Sequence, residues 1–365
     1  MPHVLFDHQK FTTQRYGGIS RYFANLLHGI DQTDDMTYQL GLLYSRNHYI
    51  RHHPLPGAGR AAGKLLAAKE RYLYKANQWY SKQLVDRQAY DVFHPTYYDP
   101  YFLGTLRKPL VVTIHDLTYE RMPEYFWAQD PLTRQKRLNI ERADAIIAIS
   151  KATRDDLVNC YGVDPARIRV IYHGIDSQTP VVSEPVADLP ANYLLYVGDR
   201  SGYKNFYLFM RAFQQLAARY TDLHVVLVGG GNLAVAEQEY ILRAGLTDRV
   251  RHINASDATL TYLYQQAQLF VYPSLYEGFG LPILEAFVAG CPVLLSDTAC
   301  FREVAATAAA YFQPTALDDL VATTDALLTN STRRATLVKA GHRRLSDFPL
   351  DASVRQTLDL YKSLC

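Results

Sequence analysis

Two glutamates, Glu277 and Glu285, stand eight positions apart in the stretch VYPSLYEGFGLPILEAFVAGCPVLLSD, residues 271–297. Carboxylates at such a spacing can act as the acid and the base or nucleophile that flank a scissile glycosidic bond. They can also accept hydrogen bonds from a bound ligand, or only solvate and cap a helix. The spacing by itself leaves all three interpretations open.

The residues between the glutamates favour a ligand. A strand is predicted over 269–272 and a helix over 281–290, and Pro282 suits the first helical turn because its missing N–H costs nothing there. Gly278 and Gly280 allow the backbone to approach a ligand closely, and the amides that open the helix would face an anion with the helix dipole behind them. The predicted cradle comprises Gly278, Phe279, Gly280 and Leu281.

A phosphate beside two carboxylates needs cations. Arg200 follows the run YLLYVGD, with Gly198 two positions before it, and Lys204 comes four residues later. An Arg fork and a Lys point charge both suit a pyrophosphate, which leaves the carboxylates to accept hydrogen bonds from sugar hydroxyls. Together these groups predict a site for a nucleotide-sugar.

Polar residues also follow strand-like runs in the first half of the chain. His94 ends DVFH, His115 and Asp116 end VVTIHD, and Gly17-Gly18 precede the amphipathic ISRYFANLLHGI. A single histidine at a strand end more often has a structural role, with its ring hydrogen-bonded, than a functional one. Gly-Gly is likewise more often a turn than part of a site. Because such residues recur at successive strand ends, a functional role for them is favoured. Five tyrosines near these loops could stack on sugars or simply pack: Tyr97, Tyr98, Tyr101, Tyr119 and Tyr125.

The elements that position these residues alternate between strands and helices, which is typical of parallel sheets. A chain of 365 residues predicts two domains, and the proline-containing segment 175–192 reads as the boundary. We expect two doubly wound α/β domains facing a cleft, with ligands outside the carboxyl ends of the strands. Eleven strands are predicted in the runs HVLFD, YQLGLLY, DVFHP, LVVTIHD, AIIAIS, IRVIYHG, YLLYVGD, LHVVLVGGG, RVRHI, LFVYPS and PVLLSD.

Composition restricts the function classes. With 48% hydrophobic and 20% charged residues, the chain is typical of a soluble globular protein, and its net charge of +2 gives no indication of nucleic acid. The N-terminal sequence has no secretory pattern and no apolar run is long enough to span a membrane. Four scattered cysteines predict reduced thiols in the cytoplasm and no metal site.

The stretch 46–87 is strongly basic, with nine Lys or Arg and only Glu70 and Asp86 as acids. A helix within it is predicted to place apolar residues on one face and lysines largely elsewhere. This face is either simply solvated or rests on anionic lipid or an acidic acceptor. The predicted apolar face comprises Leu65, Leu73, Ala76, Tyr80 and Leu84.

Four motifs in order resemble the retaining GT-B glycosyltransferases of family 4 (glycosyltransferase group 1, including mannosyltransferases). YEGFGLPILEA resembles their E-x7-E signature, and YVGDRSGYKNF their donor-pyrophosphate segment. YGGISRYFANLL resembles their N-terminal glycine loop, and AIIAISKATRDDLVNCYGVDPARIRVIYHGID the region before the second domain. The resemblance covers nearly the whole chain. It implies an acceptor-binding domain over 1–178, a nucleotide-sugar-binding domain over 179–345, and a C-terminal helix, 346–365, that returns to the first domain.

The resemblance also implies roles for single residues. Glu285 would hydrogen-bond the donor ribose and Glu277 the transferred sugar, while Arg200 and Lys204 would neutralise the pyrophosphate leaving group. His115 would approach the donor sugar, and Asp116 would hold the histidine or face the acceptor. Backbone at Gly17, Gly18, Gly198 and Phe279–Leu281 would approach the donor or acceptor.

The implied activity is retaining, metal-independent transfer of a hexose onto a saccharide acceptor, with no cofactor. We expect mannose or a deoxyhexose from a GDP-sugar, a lipid-linked acceptor in cell-surface polysaccharide (O-antigen) synthesis, and a cytoplasmic enzyme with peripheral membrane contact. UDP- or dTDP-sugars and a non-catalytic carbohydrate-binding module are the alternatives. A Rossmann dehydrogenase is disfavoured because no GxGxxG follows the first strand.

Overall fold

Unbroken apolar runs become parallel strands in both halves of the chain. The computed structural model describes residues 1–53, 70–177 and 182–365. The described strands are β1 (His3–Phe6), β2 (Thr37–Leu40), β3 (Val92–His94), β4 (Val111–Ile114), β5 (Ala145–Ala148), β6 (Ile168–Val170), β7 (Tyr193–Val197), β8 (His224–Val228), β9 (Val250–Ile253), β10 (Leu269–Tyr272), β11 (Val293–Ser296) and β12 (Ala310–Phe312).

Helices connect these strands, and short 3-10 turns lie between some of them. The described α-helices are α1 (Gln9–Thr13), α2 (Gly18–Asp31), α3 (Glu70–Arg87), α4 (Thr118–Arg121), α5 (Leu132–Arg142), α6 (Lys151–Tyr161), α7 (Phe206–Ala217), α8 (Val235–Arg243), α9 (Asp257–Gln266), α10 (Leu281–Val288), α11 (Ala299–Ala305), α12 (Leu317–Leu328), α13 (Ser331–Arg344) and α14 (Leu350–Lys362).

The contacts within the chain divide it into two units. The first comprises Met1–Glu120, Phe126–Gly174 and Leu350–Cys365. The second comprises Arg121–Tyr125 and Ile175–Pro349. Each unit therefore contains one short segment that is distant in sequence from the rest of it.

The first unit is built on parallel strands in the order β2-β1-β3 and β4-β5-β6, and a bridge between Phe93 and Leu110 joins the two groups. Every residue of β4 and β5 is buried, as is typical of strands covered on both faces. The order reverses between β1 and β3, because the chain continues from β1 to β2 on one side and then returns to β3 on the other. Such a reversal is where ligands bind in open α/β sheets.

The second unit contains one six-stranded parallel sheet in the order β12-β11-β10-β7-β8-β9. Its reversal lies between β7 and β10, which pair directly through Leu194 with Leu269 and Leu195 with Phe270. Aromatic and aliphatic side chains of α7, among them Phe206, pack against the sheet and form one continuous core. All five residues of β7 are buried, so the loop that follows this strand extends from a rigid support.

The C-terminal helix α14 belongs to the first unit. Ser353 donates a hydrogen bond to the carbonyl of Tyr172 at 2.6 Å, and the hydroxyl of Tyr361 lies 2.6 Å from Nδ1 of His94. These buried contacts join the last helix to the strand ends of the first sheet.

The structure confirms the expected α/β architecture with doubly wound parallel sheets, and each of the eleven predicted runs contains a strand. It adds β12, which the sequence pattern does not indicate because its three residues follow an alanine-rich helix end without a longer apolar run. No helix in the described ranges is long and apolar enough to cross a membrane.

The basic segment differs from its prediction. Residues 54–69, including Leu65, lie outside the described residues, and α3 begins at Glu70. Its buried residues are Leu73, Asn77, Ser81, Leu84 and Val85, whereas the predicted Ala76 and Tyr80 are only half-buried. Of the predicted apolar face, Leu73 and Leu84 are buried and Tyr80 packs against the core of the first unit. The prediction missed the polar Asn77, which is buried because its side chain hydrogen-bonds the backbone of residues 43 and 44.

Candidate functional site

Lys204 lies in the loop that leaves β7, at the reversal of the second sheet. The hydroxyl of Tyr196 on β7 donates to the carbonyl of Asp199 at 2.7 Å, which ties this loop to its strand. A 3-10 turn over Gly202–Lys204 then brings the lysine back over the strand end. The Lys204 ammonium lies 5.1 Å from the ring centroid of Tyr203 and 5.7 Å from that of Tyr272.

Glu277 reaches the same edge from β10, the neighbouring strand. The amide of Leu275 donates to the carbonyl of Tyr203 at 2.8 Å and so joins the two loops. The Lys204 ammonium donates to the Glu277 carboxylate at 2.5 Å, and both side chains are largely buried. Burial alone would lower the pKa of Lys204, but the Glu277 carboxylate outweighs it and the pKa is raised. The lysine is therefore a permanently charged group at the strand ends.

Glu285 lies on α10, the helix that the glycine-containing loop opens. Its Oε2 is 3.5 Å from the hydroxyl of Tyr264 on α9, and the side chain is half-buried. Glu277 thus accepts from the Lys204 ammonium and the Tyr272 hydroxyl, whereas Glu285 accepts from the hydroxyl of Tyr264. The ion pair at Glu277 does not suit a general acid, because that carboxylate already accepts from a lysine. The arrangement favours the interpretation of two ligand contacts over a hydrolytic pair.

The loop before α10 has the backbone that a cradle requires. Gly280 is the N-cap residue with a φ of +101°, a conformation that L side chains rarely adopt. A Cβ built there would lie 3.0 Å from Ile283 and 3.2 Å from Phe301. Pro282 occupies the first turn as predicted, and the first amides of α10 point away from the helix body. Phe279 is buried against Phe348, and Gly278 is buried beside it, so Leu281 opens the helix at a fixed place.

Arg200 is held differently from Lys204. It is nine-tenths buried, and its guanidinium donates to the carbonyls of Gly229 (2.7 Å), Gly231 (3.0 Å) and Asn232 (3.0 Å). Its Nε lies 2.9 Å from the Glu237 carboxylate. In this structure Arg200 therefore stabilises the glycine loop after β8, and Lys204 is the cation at the strand ends. The predicted contact of Arg200 with a pyrophosphate stays a prediction.

Glycines support this edge at two further points. Gly198, with a φ of +136°, ends β7, and its amide donates to Val228 on β8. The ring of Tyr125 lies against Gly202, where an added Cβ would come within 2.3 Å of it. Tyr125, predicted near the loops of the first half, thus packs within the second unit.

His115 ends β4 in the first unit and is surrounded by rings. Its imidazole stacks on that of His173 with a centroid separation of 5.8 Å, and Tyr22 contacts it edge-on at 5.6 Å. Burial, together with His173 and Lys10, holds the pKa of His115 well below its usual value. The ring is therefore neutral at pH 7, with one nitrogen that donates and one that accepts.

Asp116 is half-buried at the same strand end. Its Oδ1 accepts from the amide of Thr118 at 3.0 Å, and its carbonyl accepts from the buried Lys136 at 3.0 Å. No hydrogen bond from Asp116 to the His115 ring is found among the described residues. Of the two predicted roles, holding the histidine therefore has no geometric support.

The other predicted groups of the first unit have mainly structural contacts. His94 is fully buried between Tyr361 (2.6 Å) and Thr113 (2.9 Å), and burial lowers its pKa to about 3. Gly17 is the N-cap residue of α2, which begins at Gly18, and the side chain of Gln14 caps this helix by accepting from Ser20 at 3.1 Å. Gln14 gave no signal in the sequence, since a side chain that caps a helix six residues away has no fixed spacing.

The structure brings Lys204 and Glu277 into contact, places Glu285 on the adjoining helix, and places His115, Asp116 and Gly17-Gly18 in the other unit. The sequence analysis missed Glu237 and Tyr272, a carboxylate and a ring that position the two cations. Among the residues that the structure describes, no cluster of three or more His, Cys, Asp or Glu side chains could hold a metal ion.

Two family models match consecutive parts of the chain. The model described as Glycosyltransferase Family 4 matches residues 16–179, and that described as Glycosyl transferases group 1 matches residues 182–344. The second match contains Lys204, Glu277 and Glu285, and the first contains His115 and Asp116.

Named relatives and solved structures agree with the family models. The chain is 28% identical over 204 residues to O-antigen chain mannosyltransferase RfbU of Salmonella typhimurium, which covers 56% of each chain. It is 27% identical over 315 residues to O-antigen chain mannosyltransferase B of Escherichia coli, covering 82% of this chain and 81% of that protein. Sucrose-phosphate synthase from Thermosynechococcus elongatus shares its fold over 100% of this chain and 98% of that one, with a TM-score of 0.72 and 20% identity. Anabaena HepE in complex with UDP and glucose has a TM-score of 0.72 at 18% identity over 100% of both chains.

Proposed function

Because the chain belongs to the family 4 (group 1) glycosyltransferases and has their GT-B fold, we propose that it transfers mannose or a deoxyhexose from a GDP-sugar to a saccharide acceptor. The observation that carries this proposal is the ion pair of Lys204 and Glu277 at the reversal of the second sheet. This is where open α/β sheets bind nucleotides, and the N-terminus of α10 adds amides for a phosphate.

Different residues of the second unit contact different parts of the donor. Lys204 neutralises the diphosphate as it departs and so makes it a better leaving group. Glu277 accepts from hydroxyls of the transferred sugar and Glu285 from those of the ribose. Arg200 fixes the loop after β8 in the structure, and its contribution to the diphosphate is a second role that we also propose.

The reaction is proposed to retain configuration. The bond between the anomeric carbon and the diphosphate oxygen breaks, the acceptor oxygen attacks the same face, and the departing phosphate takes the proton of the acceptor hydroxyl. The protein supplies positioning and charge, and no side chain forms a covalent bond. The neutral ring of His115 is proposed to contact the sugar through hydrogen bonds without transferring a proton.

The donor assignment rests on two relatives whose names state mannosyl transfer in O-antigen chains. A UDP-sugar is the second candidate, since HepE was solved with UDP and glucose. A thermal-shift series with GDP, UDP and dTDP separates them, because only the correct nucleotide stabilises the protein strongly. The largest shift is expected with GDP, and a shift confined to UDP or dTDP would overturn that choice.

Transfer itself is tested with radiolabelled GDP-mannose and GDP-fucose, followed by NMR of the new linkage. The expected result is a product with the anomeric configuration of its donor, α from GDP-mannose and β from GDP-fucose, formed equally well with EDTA present. Inversion at the anomeric carbon, or loss of transfer on chelation, would contradict the proposed mechanism. A wild type that binds saccharide but consumes no nucleotide-sugar would favour a carbohydrate-binding module.

We also propose a lipid-linked acceptor and peripheral contact with the cytoplasmic face of a membrane. The described part of the basic stretch supports this: on α3, Trp79 and Tyr72 are exposed by 62% and 58%, on a face that also carries the exposed Lys75. Aromatic rings beside lysines suit a membrane interface. Binding to phosphatidylglycerol vesicles at low salt should be weakened by Trp79→Ser; no binding by the wild type would end this proposal.

A further inference from the structure

The strand order of the first sheet also reverses, between β1 and β3. The side chain of Lys10 lies beside this reversal. Lys10 is on α1, directly after β1, and Tyr97 follows β3. The backbone amide of Lys10 donates to the hydroxyl of Thr96 at 3.1 Å, which fixes α1 against the end of β3. Asp116 follows β4, the next strand beyond β3.

The Lys10 ammonium is positioned by a ring. It lies 3.4 Å from the centroid of Tyr97, and the ring of Tyr98 is 4.5 Å from that of Tyr97. No carboxylate of the described residues approaches within 4.0 Å of the Lys10 ammonium, and no hydrogen bond from it to another side chain or carbonyl is found there. A half-buried ammonium with three donors and only an aromatic partner lacks the acceptors that such groups normally have.

The electrostatics of the group agree with this geometry. Burial lowers the pKa of Lys10 to about 8, and the Asp116 carboxylate opposes that shift. Burial also raises the pKa of Tyr97, with Asp116 contributing. Lys10 and Asp116 thus provide one positive and one negative charge near Tyr97, close enough to interact with each other. A purely anionic ligand would be attracted by the lysine but repelled by the aspartate.

We propose that Lys10 and Asp116 form a subsite for the saccharide acceptor: the Lys10 ammonium donates to one hydroxyl oxygen, and the Asp116 carboxylate accepts from a neighbouring hydroxyl. The inference rests on the proposed glycosyl transfer and assigns the acceptor side of it. A sugar diol presents both an acceptor and a donor, so it matches the two charges without adding a third. Tyr97 holds the lysine in place and does not stack on the sugar, because its ring is already contacted by Lys10 and Tyr98.

The test is the kinetics of Lys10→Met, which keeps the length of the side chain and removes its donors. The acceptor is a neutral octyl glycoside, octyl mannoside or octyl N-acetylglucosaminide, whichever the wild type glycosylates. We expect kcat/KM for the acceptor to fall about tenfold to a hundredfold, because a hydrogen bond from a charged group is lost. Slow donor hydrolysis without acceptor, and stabilisation by the nucleotide, should stay at wild-type levels. Lys339→Met, at an exposed position of α13, is the control for loss of a lysine.

Asp116→Asn provides a second variant in case Lys10→Met does not fold. The asparagine oxygen can still accept from Thr118, so the local turn is kept. The same acceptor-specific loss is expected. Acceptor kinetics within twofold of wild type in either folded variant would overturn the subsite, and so would a parallel loss of donor hydrolysis.

The acceptor series also distinguishes hydroxyl recognition from anion recognition. An effect of Lys10→Met that is seen only with a diphosphate-linked acceptor, and not with the neutral glycoside, would overturn the assignment to hydroxyls. A wild type that transfers no sugar would overturn the proposed function and this subsite together. Transfer that Lys10→Met leaves intact would overturn the subsite alone.

Discussion

Lys204 and Glu277 satisfy each other at an edge where a ligand with phosphates and hydroxyls would need both. Their contact at 2.5 Å keeps the ammonium charged in a largely buried position. In the proposed complex, a diphosphate would compete for the ammonium, and a sugar hydroxyl would take the place of the ammonium at the carboxylate. The hydrogen bond from the Leu275 amide to the Tyr203 carbonyl joins the two loops that carry these side chains.

The pair gives a prediction for stability. Lys204→Met and Glu277→Gln should each lower the free energy of unfolding by about 1–3 kcal/mol, because each leaves a desolvated group without its partner. The double variant should lose less than the sum of the two. Urea unfolding of the four proteins measures this coupling. Strictly additive losses would show that the ion pair does not form in solution.

The residues of the site could be predicted from the sequence, but the different contacts of the two cations could not. Glu277, Lys204 and Glu285 follow from the strand-end loops. The hydrogen bonds of Arg200 to the four carbonyls of residues 229–232 and its ion pair with Glu237 follow only from the folded loop after β8. The side chain of an Arg two positions after a glycine can point toward a ligand or into a neighbouring loop. Sequence spacing does not indicate which of the two occurs.

At the scale of elements, the strand ends and helix starts determine where chemistry can occur. Parallel strands were predictable because their buried runs do not alternate, and the loop before α10 because its glycines and proline have specific backbone requirements. The face of α3 was not predictable in the same way. Its buried Asn77 hydrogen-bonds the backbone of residues more than thirty positions earlier in the chain. The polar residue at this position is therefore explained by a tertiary contact and does not indicate an exposed face.

At the scale of elements, a prediction concerns Gly280 at the start of α10. Gly280→Ala should lower the free energy of unfolding by about 1–3 kcal/mol, because a φ of +101° is strained for alanine. It should also weaken nucleotide binding, since α10 carries Glu285 and the amides of the cradle. Thermal unfolding with and without nucleotide measures both effects.

Gly104→Ala is the matched control for this variant. Gly104 has no positive φ, and no atom lies within 4 Å of an added Cβ. The control should be nearly neutral. An equally small effect of Gly280→Ala would contradict the strained start assigned to α10.

At the scale of the whole molecule, the two units have different ionisable groups inside. Among its described residues, the first unit buries four histidines. Burial lowers the pKa of His8, His94 and His173 to about 3 and that of His115 well below its usual value. These rings contact aromatic side chains and hydroxyls that accommodate the neutral form, such as Tyr74 beside His8 and Tyr361 beside His94. Folding of that unit therefore favours the neutral form of these rings.

The buried histidines predict the pH dependence of stability. Their folded pKa values lie below the unfolded value of about 6.5, so their contribution is fully present above pH 6.5 and is lost as the pH falls toward 3. Stability should decline by on the order of 1–2 kcal/mol per histidine between pH 7 and pH 5. The raised pKa of the buried Asp7 acts in the opposite direction and offsets a part of this loss.

Urea unfolding at pH 7 and pH 5 checks this dependence, with His94→Gln as the variant that removes one titrating group. The variant should be less stable at pH 7 but show a shallower decline with acid. An equal decline in wild type and variant would contradict the assignment of His94 as a buried neutral ring.

The proposed transfer requires a nucleotide-sugar donor bound by Lys204 and Glu285 in the second unit. Isothermal titration calorimetry of GDP, UDP and dTDP measures this directly, with Lys204→Met, Glu285→Ala and the exposed-lysine control Lys339→Met. One nucleotide should bind the wild type and the control equally, and each of the two site variants should weaken it about tenfold or more, because each loses a charge-assisted hydrogen bond. Binding of none of the three nucleotides to the wild type, or equal binding to all four proteins, would contradict the account.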